Sequence, residues 1–396
     1  MSEVSRMERI SFSEYLRELD PDKAQCGYAW YTAIGLQAVD GLKTSDYLIR
    51  TAIQNIEGEI TIKEVQRLIQ TYYDAKPLDF EDGERIEEAD KVSSRIAAIL
   101  LQKRFRFLPD QYLEIHKYLF EGIYPHAGKI RDCNISKKEW VLDGASVLYA
   151  SALNLRAVME YDLSQEREFD YSGLDMDETI HHFAIFLSNL WQIHPFGEGN
   201  TRTTAIFFIK YLQKLGFSVT NDIFAENAWY FRNALVRANY TNLQAGIYET
   251  TEYLERFLRN LLLNEKHELR NRHLHVRSGL KNHGIDSDEL MKVDIEAPKV
   301  DIHSIEVDIE TPKVDIAHAV KDSGVTFSAK TLLHIAHLRE CLGQGEVFGK
   351  KEIMEFIGLK SSGASKLLSK LVEAGIIERT KGYGKGRYRF STNNGE

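Results

Sequence analysis

Proline is scarce in this chain of 396 residues, seven in all, and only three cysteines occur. So few prolines argue for helices and against a turn-rich β protein. Cys26, Cys133 and Cys341 are scattered, with no CxxC spacing. That pattern excludes a disulfide framework and a cysteine-based zinc site, and it fits a reducing compartment. No run approaches roughly eighteen uninterrupted apolar residues, so no membrane-spanning helix is expected. The start, MSEVSRMERISFSEYL, lacks a basic flank followed by an apolar stretch, so a secretory signal is not expected there. A cytoplasmic protein with no membrane partner is the expectation. An excess of positive charge is missing as well. Fifty Lys and Arg face 59 Asp and Glu, a net charge of −9, which excludes a non-specific nucleic-acid coat. What is present is 43% hydrophobic residues with 11% aromatics, enough to fill real cores and to exclude a wholly disordered chain. The length exceeds one ordinary core and suggests two or three domains.

The pattern is helical from the start to about residue 76. Thr44 or Ser45 can cap a helix carrying Tyr47, Leu48, Ile49, Ala52, Ile53 and Ile56, with Gly58 as its stop. Thr61 and Glu64 form a capping-box pattern for a second helix with Val65, Leu68 and Ile69 inward. After a break at 77–86, helical pattern runs with interruptions to about 264. The helix expected at 177–193 is apolar nearly all round, and so is the next, from Thr203 to Leu215, so both should lie at the centre of their domain. Around 129–150 the helical period weakens, and Asn134 to Gly144 predicts a short hairpin. Past about 266, Val293–Ile302 returns almost unchanged as Val307–Ile316, a duplicated acidic linker. From about 328 the order is helix, helix, helix, hairpin, that of a winged helix.

The loop His194-Pro-Phe-Gly-Glu-Gly-Asn-Thr-Arg202 joins the two buried helices yet holds His194, Glu198, Asn200 and Arg202, groups costly to bury unpartnered. Gly197 and Gly199 permit positive φ and close backbone approach. Asn200 stands where it can cap the following helix. The free amides of that helix, together with Arg202, form an anion site. Glu198 beside it suggests a bridging divalent cation, and His194 could take a proton from an attacking hydroxyl. Together these suggest phosphoryl or nucleotidyl transfer. The bland alternative is that His194, on the apolar stripe of its own helix, is an ordinary core histidine and the glycines merely form a turn.

HPFGEGNTR resembles the Fic family motif, His-x-Phe-x-Asp/Glu-Gly-Asn-Gly-Arg-x-x-Arg. Tyr124-x-x-Ala-Gly-Lys-Ile-Arg131 resembles the segment entering that family's flap, and Ile56-Glu-Gly58 with Thr61-x-x-Glu-Val65 resembles its inhibitory helix. The resemblance covers roughly residues 30–265. It implies a mainly α fold, a Fic-type helical core with a short β-hairpin flap, to which the winged-helix domain is appended. It further implies transfer of AMP from ATP, with Mg²⁺, onto a Ser, Thr or Tyr hydroxyl of a protein target. His194 would be the base and Phe196 the anchor of the loop. Glu198 would hold the metal, and Gly197, Gly199, Asn200, Thr201 and Arg202 would bind the nucleotide phosphates. The flap, about 134–142, would dock the target through Lys137, Lys138 and Trp140. Two positions depart from the motif. Thr201 replaces a glycine, and Ala205 replaces the second arginine, which leaves the donor nucleotide open.

Glu57 stands in the last turn of its helix, where the macrodipole disfavours an anion, so a positive partner is expected, with Arg202 as the candidate and autoinhibition as the consequence. In the C-terminal part, residues 346–390 carry ten Lys and Arg against five Glu. Lys366, Lys381, Lys385 and Arg387 are candidate DNA contacts. The domains expected are an N-terminal helical region at 1–76, a catalytic core at 77–265, an acidic linker at 266–327 and a winged helix at 328–396. The first reading is an adenylyltransferase. The alternatives are a nucleotide-sensing DNA-binding regulator with little turnover, or a Fic enzyme that transfers another phospho-group or removes AMP. Assembly into a homo-oligomer stays open.

Overall fold

The computed structural model describes residues 12–75, 81–219, 222–277, 335, 338, 347–357, 361–380 and 386–391. In chain order the first part comprises α1 (Phe12–Arg17), α2 (Pro21–Gly35), a 3₁₀ turn (Leu36–Asp40), α3 (Asp46–Ile56), α4 (Ile62–Asp74) and α5 (Glu81–Leu101). Then follow α6 (Pro109–Phe120), a 3₁₀ turn at Trp140–Leu142, another at Ala152–Asn154, and α7 (Leu155–Arg167). The central pair is α8 (Met176–Ile193) and α9 (Asn200–Lys214). Beyond them lie α10 (Ile223–Glu226), α11 (Ala228–Ala238), α12 (Glu252–Leu263) and α13 (Asn271–Leu274). The fold is mainly α, as expected.

Local chemistry explains the helix ends. Ser45 caps α3 by accepting from the Leu48 amide at 3.1 Å, and Thr61 caps α4 through the Glu64 amide at 3.3 Å. Glu64 does not complete the reciprocal box; its carboxylate turns outward to Arg67. A full capping box forms instead at α8, where Asp175 and Glu178 each receive the other's backbone N–H at 2.8 and 3.1 Å. That cap lies two residues before the helix start inferred from hydrophobic spacing alone.

One large hydrophobic cluster binds α1 through α13 together. Phe183, Leu187 and Trp191 of α8, and Ala205, Phe207 and Phe208 of α9, are buried in it. The two helices therefore hold the loop between them on a rigid base. The hairpin expected at 134–142 is present as a chain reversal rather than as paired strands. Glu139 N–H donates to Ala145 O at 2.9 Å and Gly144 N–H to Glu139 O at 3.0 Å. Between them a 3₁₀ turn ends on Asp143 at φ 58°. The Glu139 side chain is buried and reaches Arg232 of α11, which ties the reversal to the core.

Toward the C-terminus, β1 (Phe348–Gly349), α14 (Lys350–Ile357), α15 (Ser361–Glu373), β2 (Ile377–Arg379) and β3 (Arg387–Phe390) surround a second hydrophobic cluster. The sheet is antiparallel in the order β1-β3-β2, with Phe348 opposite Tyr388 and Ile377 opposite Phe390. The sequence pattern did not predict β1, since two residues show no period. The repeat at 293–316 and the tip of the expected wing, with Lys381 and Lys385, lie outside the described residues, as does Cys341. No helix among the described residues is long and apolar enough to cross a membrane.

Candidate active site

Helix α8 stops at His194, which takes left-handed backbone angles, φ 49° and ψ 57°. A side chain at positive φ costs of order 1–3 kcal/mol and persists only where its surroundings enforce it. Arg131 does so here. Its Nε donates to the His194 carbonyl at 2.8 Å, its backbone N–H to Pro195 O at 2.9 Å, and its other guanidinium nitrogens to Cys133 O and Ala150 O. Burial among carbonyls lowers the Arg131 pKa to about 10.

The His194 ring is buried. It stacks on Tyr149 at 4.0 Å between centroids and meets Trp191 edge-on at 5.0 Å. Its Nδ1 lies 3.1 Å from the Trp191 carbonyl, which can only accept. Nδ1 therefore carries the proton, and Nε2 presents a lone pair. Burial, then the charge of Lys137, push its pKa well below the usual value, so the ring is neutral.

The loop is held from below by aromatic stacking. Phe196 is fully buried between His116, at 3.6 Å, and Tyr112, at 5.8 Å. His116 donates from Nε2 to the Glu198 carbonyl at 2.9 Å and accepts the Gly128 N–H at Nδ1 at 2.8 Å. Burial lowers its pKa to about 3, which keeps it in this neutral form. Asn200 was expected to cap α9, but its side chain closes the loop on itself. It accepts from Phe196 N–H at 3.0 Å and donates to Phe196 O at 2.7 Å. The cap residue is Gly199, at φ +74°, where a Cβ would stand 2.3 Å from the Phe120 ring. Of the two loop glycines, Gly199 alone has positive φ. Gly197 serves proximity, since a Cβ there would lie 3.3 Å from His126 Nε2. No side chain caps α9, so its first amides have no side-chain acceptor. Thr201 Oγ1 accepts the Trp191 indole N–H at 3.0 Å, which ties it to the core.

Arg202 is placed differently from expectation. Its side chain is 1% exposed and sits among acids from the N-terminal elements. Nη2 donates to Glu88 of α5 at 2.6 Å, and Nη1 to Gln37 at 3.0 Å. Nε lies 2.8 Å from Asp40, an ion contact too poorly aligned for a hydrogen bond. The Tyr124 hydroxyl and the Phe120 face complete the cage. Burial alone would depress its pKa; Asp40, Tyr124 and Glu88 outweigh that and hold the guanidinium charged.

Glu57 is not among these partners. Its carboxylate accepts from the Tyr15 hydroxyl and from Lys23. The macrodipole argument correctly required a cation, but the cation is Lys23, which α2 brings to the end of α3. The position of the second motif arginine is filled by Ala205, fully buried in α9.

Glu198 does not stand free for a metal. Lys137 Nζ lies 3.2 Å from its Oε2. Among the described residues no group of three or more His, Cys, Asp or Glu is placed to hold a metal ion. A Mg²⁺ ion takes oxygen ligands, and here the one loop carboxylate is already neutralised. The residues present do not fit Mg²⁺ beside that lysine. Lys137 thus points inward, and Trp140 packs edge-on against His275 at 4.9 Å. Of the three residues expected to face a target, Lys138 is the exposed one. Lys366 is exposed on α15, whereas Arg387 is bound to Glu352 at 2.7 Å.

Several contributors carried no readable signal. Asp40, Glu88, Gln37 and His116 lie far from the loop in sequence and belong to unremarkable helical patterns. Arg131 lay inside the segment preceding the flap, but nothing in its spacing revealed that it would grip His194.

The arrangement is thus a helix–loop–helix with a buried neutral histidine before a helix start that no side chain caps. Residues 106–212 match the model of the Fic/DOC family, and the chain carries a domain of that family there. Over 150 residues it is 27% identical to protein adenylyltransferase VbhT of Bartonella schoenbuchensis. That match covers 37% of this chain and spans 30% of the length of that relative.

Proposed function

We propose that the protein is a Fic-type transferase that moves AMP from ATP onto a Ser, Thr or Tyr hydroxyl of a protein target. The observation that carries this reading is His194. It is neutral, its Nδ1–H is committed to Trp191 O, and it stands directly before the uncapped start of α9. The target hydroxyl attacks the α-phosphorus, its proton passes to His194 Nε2, and pyrophosphate leaves as the bond to the bridging oxygen breaks. The α9 amides supply donors to the phosphate oxygens, worth most where water is excluded. The name of the 27% identical relative agrees with this chemistry. Lys138, exposed on the reversal, is the residue proposed to meet the target.

The test is to incubate wild type and His194→Ala with ATP and other nucleotides and to weigh the intact protein. A gain of one AMP by wild type alone supports the reading. No gain from any donor refutes it.

One observation favours a second reading, a nucleotide-responsive regulator with little turnover. Arg202 is closed off by Asp40 and Glu88. In that reading the C-terminal unit is a winged helix that contacts DNA through Lys366 and neighbouring lysines. A salt-sensitive gel shift on duplex DNA, lost in Lys366→Ala, would support it.

A further inference from the structure

Glu139 has extended backbone angles, φ −109° and ψ 123°, and extended backbone places residues two apart on one side. Glu139, fully buried, fixes which side is inward by bonding Arg232 at 2.5 and 3.1 Å. Lys137, two residues earlier, is therefore inward too, and Lys138 is exposed. The Lys137 backbone is held as well, its N–H donating to Ser146 Oγ at 3.2 Å. The Lys137 side chain is 13% exposed and that of Glu198 is 23% exposed. Glu198 in turn is fixed through its carbonyl by His116. Both ends of the Lys137–Glu198 pair are thus anchored, Glu198 by the buried His116 and Lys137 by the half-buried Ser146. The charge of Lys137 also reaches the His194 ring, where it is the second cause of the lowered pKa.

We propose that Lys137 is the cation of this phosphate site, standing at Glu198 where a divalent ion would otherwise be required. The inference rests on the reading of the site as one for a nucleotide di- or triphosphate. An ammonium has three N–H donors and no acceptor. One holds Glu198, and two remain for phosphate oxygens placed over the α9 amides. A divalent ion at the same carboxylate would add two positive charges beside one already balanced, with only the incoming phosphates to offset them. Lys137 is consequently a binding residue whose charge makes phosphate uptake independent of added metal.

The experiment is calorimetric titration of ATP into the full chain, in EDTA and in Mg²⁺. The proteins are wild type, Lys137→Met and Lys137→Arg, with melting curves as the folding control. Wild type is expected to bind in EDTA within about threefold of its affinity in Mg²⁺. Lys137→Met should lose at least tenfold in EDTA and regain most of it in Mg²⁺, whereas Lys137→Arg should retain binding in EDTA. A merely structural lysine would weaken both conditions alike, and that result overturns the proposal. So does a wild type that binds only in Mg²⁺ with Lys137→Met unchanged, though the nucleotide-site reading then survives. No binding by wild type in either condition refutes the nucleotide site and this inference with it.

Discussion

Removing Arg232 should be among the most damaging single changes to the helical body. Glu139 is 0% exposed and Arg232 is 4% exposed, and the two share a bidentate contact at 2.5 and 3.1 Å. Taking one partner from a buried pair leaves a desolvated charge, at a cost of about 3–5 kcal/mol. Arg232→Met is the sharpest version, because methionine fills much of the space and isolates the loss of charge. Glu139→Met should cost less, because the guanidinium left behind can also lie against the Trp229 ring, 5.3 Å from its centroid. The double variant should recover most of the loss, since two apolar side chains leave no unpaired charge. Denaturant unfolding of the four proteins gives the interaction energy directly. The consequences should reach the chemistry too. The Tyr149 hydroxyl donates to Glu139 at 3.3 Å, and its ring lies against His194. Transfer activity should therefore fall in Arg232→Met even where the protein remains folded. A cost under about 1 kcal/mol for Arg232→Met, or strictly additive single effects, would refute the account of the pair as a buried, mutually dependent unit.

Gly199→Ala combines a disfavoured backbone with a Cβ 2.3 Å from the Phe120 ring and should cost about 2–4 kcal/mol, read by chemical denaturation. Arg131→Met should leave the left-handed His194 unsupported, cutting turnover at least tenfold with a smaller change in nucleotide affinity; steady-state kinetics separate the two. His116, neutral in the fold down to about pH 3, takes up its proton at about 6.5 when unfolded, so it contributes stability above 6.5 that is lost as pH falls toward 3. The drop in unfolding free energy between pH 7 and pH 5 should accordingly be about 2 kcal/mol smaller in His116→Gln than in wild type. Asp162, whose pKa burial raises to about 7, acts in the opposite sense, so Asp162→Asn should steepen the same drop.

Much of the helical scaffold was legible because its signals are local. Ser45, Thr61 and the apolar stripe of α8 act within one or two turns of their own residues, and spacing alone reveals them. The loop 194–202 was legible for a related reason, since charged groups between two apolar helices must be partnered wherever the chain folds. The partners themselves were not. Arg202 meets Asp40 and Glu88, Glu57 meets Lys23, and Glu198 meets Lys137. Each pair joins elements whose approach depends on how the helices stack, and charge alone allows any of these cations to serve any of these acids. The reversal after Asn134 followed the same rule. Its Asp-Gly was read correctly as a turn, but its tie to the core, Glu139 with Arg232, joins residues far apart in sequence.

The sequence by itself determined that the chain is mainly helical, and that a loop rich in polar groups, with His194 at its head, joins two buried helices. Those conclusions follow from periodicity, from cap residues and from the cost of burying polar groups. Only the tertiary structure decided that His194 is neutral with Nδ1 turned to Trp191 O, that Arg202 is enclosed, and that a lysine stands at the carboxylate expected to hold a metal. Burial and the pairing of charges are properties of the assembled core, set by distances between residues remote in sequence.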